Sequence, residues 1–182
     1  VLTSGEEVTA DYFISNIHPT MTFDMMDTSK MRKTYVNRIS DLENTVSAFI
    51  LYIKFKPLIQ HYCNHNRYHY FDDDVWSHVD YTHGSRFSCM GIFSSPDHLN
   101  PDYAKSMSVI TYMKFEDVEE WKESHNTTLN QNSRGKSYEE TKRKWQKNIL
   151  SKLDDVYPGI GQNIETCYTA SPLTQRDYTG SV

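Results

Sequence analysis

The densest group of side chains that could do chemistry lies between residues 61 and 74. Its possible metal ligands are His61, Cys63, His65 and His69, followed by the carboxylates Asp72, Asp73 and Asp74. Histidine nitrogen and cysteine sulfur are ligands that zinc prefers, and four of them converging would form a site. Because the spacing matches no standard zinc motif, we interpret the stretch as a polar, aromatic hairpin, with a metal site as the alternative.

A second candidate is the pair of glycines in Gly159-Ile160-Gly161. A dinucleotide-binding loop needs glycines that follow a strand and open a helix, so that backbone amides meet the pyrophosphate. Here the glycines follow a predicted helix and precede a predicted strand. The pattern therefore predicts a turn that ends the helix.

No other residues complete an active site by their spacing. No serine lies in a G-x-S-x-G elbow, and no cysteine lies in a known catalytic pattern. The carboxylate pairs Glu119-Glu120 and Asp154-Asp155 lie on predicted helical stretches, where a solvated face is the usual explanation.

Composition and charge limit the classes of function. With 182 residues, of which 37% are hydrophobic and 13% aromatic, the chain is typical of one ordered globular domain. The net charge is −5 and no basic run is present, so nucleic acid is not an expected partner. The widely spaced Cys63, Cys89 and Cys167 indicate buried free thiols in a reducing compartment. No apolar run approaches ~18 residues and no signal peptide opens the chain, so we expect a cytoplasmic protein.

The elements in the first third of the chain follow from the hydrophobic pattern. Residues 1–15 predict a hairpin that turns at Ser4-Gly5 and continues as an alternating strand. Residues 20–40 predict two short helices with a break between them. Residues 44–57 carry the strongest strand pattern, and because it is apolar on both faces it predicts a central strand covered on both sides.

The remaining elements complete the predicted fold. Strands are predicted around residues 68–71, at 87–96, at 106–116 and at 162–170, with a short helical segment ending at Trp121 and a polar surface loop at 124–136. The clearest helix begins with a capping box formed by Ser137 and Glu140 and ends at Pro158-Gly159. This order predicts an α+β fold in one domain over residues 1–182, with helices packed on a mixed, mostly antiparallel sheet.

Two segments carry a recognisable pattern. ADYFISNIHPTMTF, with the turn before it, matches G-x-x-I-x-A-D followed by S-N-x-x-P at Gly5, Glu6, Ala10, Asp11, Ser15, Asn16 and Pro19. TASPLTQRDYTGSV matches T-P-L-T-x-x-x-Y-T-G at Pro172, Leu173, Thr174, Tyr178, Thr179 and Gly180. In both segments the chain resembles phytoene-desaturase-like, carotenoid-isomerase-like and retinol-saturase-like (all-trans-retinol 13,14-reductase-like) FAD-dependent oxidoreductases. Between them, W-K, S-Y-E-E-x-K and Y-P-G are similar to the retinol-saturase branch.

The resemblance implies a fragment of an FAD-dependent oxidoreductase that saturates, desaturates or isomerises double bonds of an apolar polyene, such as a carotenoid or retinoid. The chain would be the substrate-binding region, with the fold of the substrate domain of amine-oxidase-like flavoproteins. The G-x-G-x-x-G of the FAD-binding domain is absent from these residues, so FAD is expected only in the longer parent protein. By motif position, Ser15, Asn16 and Pro19 are expected near the flavin.

The substrate would be apolar, so residues of the predicted sheet are candidates for its binding. The candidate pocket wall consists of Phe49, Leu51, Tyr52, Ile110 and Tyr112, with ordinary hydrophobic core as the alternative. Apolar substrates also suggest peripheral membrane contact through Phe23-Asp24-Met25-Met26, with buried helix packing as the alternative. Two other functions stay open: a ligand-binding or interaction module without a cofactor, and a metal-dependent protein that uses the histidine cluster.

Overall fold

A computed structural model describes residues 1–2, 4–42, 45–76 and 88–180. The chain divides into two compact units, Val1–Glu43 with Thr179–Ser181, and Asn44–Tyr178 with Val182. The helices are α1 (Pro19–Asp24), α2 (Lys33–Ser40), α3 (Lys136–Val156), α4 (Ile160–Asn163) and α5 (Pro172–Thr179), with a 3₁₀ helix at Phe115–Trp121. The strands are β1 (Ser47–Phe55), β2 (Arg67–Tyr70), β3 (Cys89–Pro96), β4 (Ala104–Met113) and β5 (Ile164–Ala170).

The first unit confirms two short helices and corrects the opening hairpin. The predicted turn is present, with the Leu2 N–H donating to the Glu6 carbonyl at 2.8 Å and Gly5 at φ +85°. Residues 6–15, however, form no strand, and the side chains of Tyr12, Phe13 and Ile14 are exposed. Alternation of apolar and polar residues cannot form a strand without a partner that satisfies its backbone groups.

The second unit is built on a five-stranded sheet in the order β2-β3-β4-β1-β5. Every pair of described strands is antiparallel. Helices pack on this sheet, so the predicted α+β class is confirmed. Among the described residues, no helix is both long enough and apolar enough to cross a membrane.

The core lies between one face of the sheet and α3. Phe49 and Leu51 of β1 are fully buried, and their neighbours in the core cluster include Ile149 and Leu153 of α3. Burying side chains of this size stabilises the fold by about 1.5–3 kcal/mol each. The prediction that β1 is covered on both sides is wrong, because Tyr52 on its other face is 46% exposed.

The ends of α3 correct one prediction and confirm another. The predicted capping box does not form, because the helix begins one residue before Ser137 and Gly135 occupies the cap position. The Ser137 hydroxyl instead accepts a hydrogen bond from the Trp121 indole N–H at 3.2 Å. At the other end Gly159, with φ +80°, lies in the turn that ends α3, as predicted. The glycines were also predicted to precede a strand, but Gly159 is followed directly by the short helix α4, which contains Gly161.

The segment after β5 is helical, which the sequence did not suggest. Pro172 is the first residue of α5, a position where the backbone N–H makes no hydrogen bond within the helix, so its absence in proline costs nothing. The buried Ser171, just before it, shares a 2.7 Å hydrogen bond with the hydroxyl of the buried Tyr138. This bond holds the start of α5 against α3.

Candidate functional site

The sheet has an open face opposite its core, and this face is rich in tyrosine. Side chains alternate along a strand, so residues between the core positions point away from α3. Five tyrosines lie there, each between 42% and 67% exposed: Tyr52, Tyr68, Tyr70, Tyr112 and Tyr168. We call these five residues the tyrosine face. It presents aromatic surface with polar hydroxyl groups to the solvent.

The strand register places one residue from each strand in a row across this face. Tyr68 pairs with Gly91, Gly91 with Ile110, and Ile110 with Ile50, which in turn pairs with Ala170. The row crosses all five strands, a span of roughly 19 Å at ~4.8 Å for each strand spacing. Apolar and aromatic residues therefore form a continuous strip across the sheet.

A pocket of ≈ 130 Å³ opens on this face over β2, β3 and β4. Its lining includes Tyr68, Phe93 and Tyr112, together with Gly91 and Ile110 of the row. The rings of Tyr68 and Phe93 are nearly perpendicular, at 87°, with their centroids 5.8 Å apart. A methyl group on Gly91 would come within 2.9 Å of the Phe93 ring, so the absence of a side chain at Gly91 lets this ring pack close to the backbone of β3.

The surroundings of the pocket are of low polarity. Burial raises the pKa of the Cys89 thiol above its ordinary value, with a further contribution from the charge of Asp72, so the thiol is neutral at pH 7. Thr111, which also lines the pocket, is 3% exposed, and its hydroxyl donates to the Cys89 carbonyl at 2.9 Å. None of the described residues that line the pocket carries a formal charge.

The candidate substrate residues fall on opposite sides of the sheet. Tyr52, Ile110 and Tyr112 lie on the open face, whereas Phe49 and Leu51 are fully buried in the core. The proposed role of all five in substrate binding stays a prediction. The sequence did not single out Tyr68, Tyr70, Gly91 and Phe93 as site residues. Tyr68 and Tyr70 are two positions apart, as are Gly91 and Phe93, so strand alternation could have placed each pair on one face.

The residues expected near flavin lie together in the first unit. The Ser15 and Thr22 hydroxyls are hydrogen bonded at 2.7 Å, Asn16 is exposed, and Pro19 begins α1. Their role stays a prediction. Within the described ranges no glycine-rich turn joins a strand to a helix, the arrangement that binds a dinucleotide pyrophosphate. The residues present therefore do not by themselves fit FAD.

The Met-rich stretch is open to solvent. Met25 and Met26 are exposed, and α1 has no buried residue, so the alternative of buried helix packing is wrong for these two side chains. Membrane contact through this stretch stays a prediction.

The histidines and cysteine of the first candidate are not brought together. His61 stacks on Tyr103 at 5.0 Å between ring centroids, and His69 packs edge-on against Phe71 at 4.7 Å. Cys63 is exposed, which corrects the prediction that all three thiols are buried. No group of three or more metal-ligating side chains occurs in the part of the chain that the structure describes.

A buried charge cluster that sequence reasoning missed anchors the loop before α3. The side chains of Asp177 in α5 and Arg134 in the loop form an ion pair and are 0% and 2% exposed. The Asp177 carboxylate also accepts the Asn126 N–H at 2.7 Å and the Arg176 Nε–H at 2.9 Å. Burial alone would raise the pKa of Asp177, but these hydrogen bonds outweigh it and the pKa is lowered.

Comparison with known proteins leaves the family of the chain open. No family model, no curated protein and no solved structure matches this sequence.

Proposed function

We propose that the chain is the substrate-binding region of an FAD-dependent oxidoreductase that acts on the double bonds of an apolar polyene, such as a retinoid or carotenoid. The observation that carries this proposal is the tyrosine face, an open aromatic surface on a sheet whose other face is sealed by helices. The motifs at the two ends of the chain support the family.

The dimensions and chemistry of the open face suit such a substrate. The strip from Tyr68 to Ala170 is roughly 19 Å long, which is enough to support an extended conjugated chain. Tyrosine rings contribute large, rigid contact surfaces that lose little conformational entropy on binding. In this proposal Tyr52, Ile110 and Tyr112 contact the substrate, while Phe49 and Leu51 support the sheet from behind.

The protein's part in the reaction would be to bind the polyene, hold it flat and exclude water from one of its sides. The flavin supplies the hydride chemistry in oxidoreductases of this class. We propose that residues outside these 182 hold FAD, with Ser15, Asn16 and Pro19 near its ring system.

The substrate part of the proposal can be tested by polyene binding. All-trans-retinol is titrated into the 182-residue protein and into Tyr112→Ala, and its fluorescence change is followed. We expect saturable binding that weakens about tenfold in Tyr112→Ala, because truncating a contact aromatic typically costs more than ~1 kcal/mol. Tyr12→Ala, an exposed tyrosine of the other unit, is the matched control and should bind like the wild type. Equal binding by both variants would count against the proposal.

A ligand-binding module that needs no cofactor is the second candidate. It is favoured by the pocket over β2, β3 and β4, whose described lining residues all lie within this sheet. The coding sequence upstream of Val1 separates the two candidates. A predicted strand, a G-x-G-x-x-G turn and a helix in that sequence, with stoichiometric yellow flavin in the longer polypeptide, would favour the oxidoreductase.

A further inference from the structure

We propose that the pocket at Gly91 is a binding site for one uncharged planar six-membered ring, and that Gly91 determines whether the ring can enter. The inference rests on the proposed function and deepens it, because it assigns the ring-bearing end of the ligand to one position on the tyrosine face.

The size of the pocket sets the first limit. Its volume is ≈ 130 Å³. An apolar cavity of about 150 Å³ stays dry and takes up benzene. The pocket therefore has room for a single ring, and the rest of a longer ligand would extend over the open face.

The orientation of the aromatic walls favours a flat ring over a flexible chain. The Tyr68 and Phe93 rings stand at 87° to each other. Aromatic pairs prefer offset-stacked or edge-to-face geometry with centroids ~4.5–7 Å apart. A ring placed against both walls adopts one of these geometries with each wall at the same time. A saturated chain makes dispersion contacts only.

The polarity of the pocket argues for a ligand group without charge. Among the residues that the structure describes, those lining it are uncharged, and the Thr111 hydroxyl is already engaged with the Cys89 carbonyl. Burial is the larger cause of the raised pKa of Cys89, which indicates that a charge here would lose much of its hydration. An aromatic wall can also bind a quaternary ammonium ion, so a cation is the alternative that the experiment has to exclude.

Gly91 controls access because a side chain here would push on the Phe93 ring, which is a wall of the pocket. A Cβ at this position would lie 2.9 Å from Cε2 and 3.3 Å from Cζ of Phe93, and 3.7 Å from Cδ1 of Tyr68. A methyl group and the Phe93 ring would then compete for the volume that the ligand ring needs. Gly161, in contrast, has nothing within 4 Å of the position of an added Cβ.

The test uses probes that differ in shape or charge. Toluene and n-heptane have the same number of carbon atoms, and tetramethylammonium chloride tests the cation. Binding is read from the ¹³C–¹H NMR signal of the Ile110 δ1 methyl at the pocket, with Ile149 in the core as the internal control. We expect toluene to shift Ile110 saturably and to bind at least fivefold more tightly than heptane, with Ile149 unchanged.

The variants locate the probe. Gly91→Ala should weaken toluene binding at least tenfold, and Gly161→Ala should leave it unchanged. If Gly91→Ala does not fold, Tyr68→Ala removes one wall from an exposed position and should weaken toluene binding about fivefold.

Four results would overturn the inference: no saturable toluene binding, equal affinity for toluene and heptane, a shift of Ile110 by tetramethylammonium without one by toluene, or unchanged toluene binding by folded Gly91→Ala. The outcome is separable from that of the proposed function. If retinol binds in a way that depends on Tyr112 but toluene does not bind, the ring site is refuted and the polyene function is not. If toluene binds but retinol does not, the polyene function is refuted and the ring site is not.

Discussion

Replacing Asp177 by alanine should be among the most destabilising single changes at a polar position of the second unit. The change removes a fully buried carboxylate and leaves the guanidinium of Arg134, whose side chain is 2% exposed, without its counter-ion. It also removes the acceptor of the Asn126 N–H. Breaking a buried ion pair from one side typically costs about 3–5 kcal/mol. For a chain of this length that cost corresponds to a fall in Tm of roughly 6–20 °C.

The assay is thermal and urea unfolding followed by circular dichroism, with Glu165→Ala as the matched control. Glu165 also loses an ion pair, the 2.8 Å contact with Lys54, but both side chains are substantially exposed. Exposed pairs contribute about 0–1 kcal/mol, so this variant should differ little from the wild type. If Asp177→Ala is no less stable than Glu165→Ala, the cluster does not hold the loop to α5 and our reasoning is refuted.

The same cluster predicts how stability depends on pH. Because folding lowers the pKa of Asp177 below 3.8, the ionised carboxylate stabilises the folded state above that value. This contribution is lost as the pH falls through the lower, folded pKa. The difference in unfolding free energy between wild type and Asp177→Asn should therefore be full at pH 7 and should shrink below about pH 4. A difference that stays constant to low pH would contradict this assignment.

Three further predictions concern thiols, a turn and the core. Ellman's reagent at pH 8 should react quickly with the exposed Cys63 and slowly with Cys167, because burial raises the pKa of Cys167 to about 11 and leaves little thiolate; Cys63→Ala should abolish the fast phase. Gly159→Ala should lower the unfolding free energy by about 1 kcal/mol, since alanine is strained at φ +80°, whereas Gly161→Ala should not. Leu153→Ala should cost about 2–5 kcal/mol in urea unfolding, because Leu153 is fully buried between α3 and the sheet, and a cost below 1 kcal/mol would contradict its place in the core.

The sequence predicts long, strongly periodic elements well. The apolar positions of α3 recur at helical spacing, and Tyr138, Ile149 and Leu153 are the ones that the structure buries. Both faces of β1 are apolar in sequence, however, and periodicity cannot say which face a helix covers. Tyr52 illustrates the difficulty, because the ring of a tyrosine suits a core while its hydroxyl group suits a solvent-exposed surface.

The site depended on pairings that a single sequence does not reveal. Gly91 can be recognised as a pocket residue only once β3 is known to lie between Tyr68 of β2 and Ile110 of β4. The pairing of Asp177 with Arg134 joins residues far apart in sequence, and α5 was missed because its eight residues have a weak apolar period after a proline. These interactions are set by tertiary structure, not by local propensity.

The position of β1 in the sheet has a consequence for how the protein is made. Ile50 of β1 pairs with Ile110 of β4 and Ala170 of β5, so both neighbours of this strand are synthesised after it. At ~5–20 residues per second, β1 waits several seconds on the ribosome for the first neighbour and longer for the second. During that time its apolar residues and unpaired backbone are open to association with other chains. Yield in the cell should therefore depend on chaperones that shield this strand until β4 and β5 have emerged.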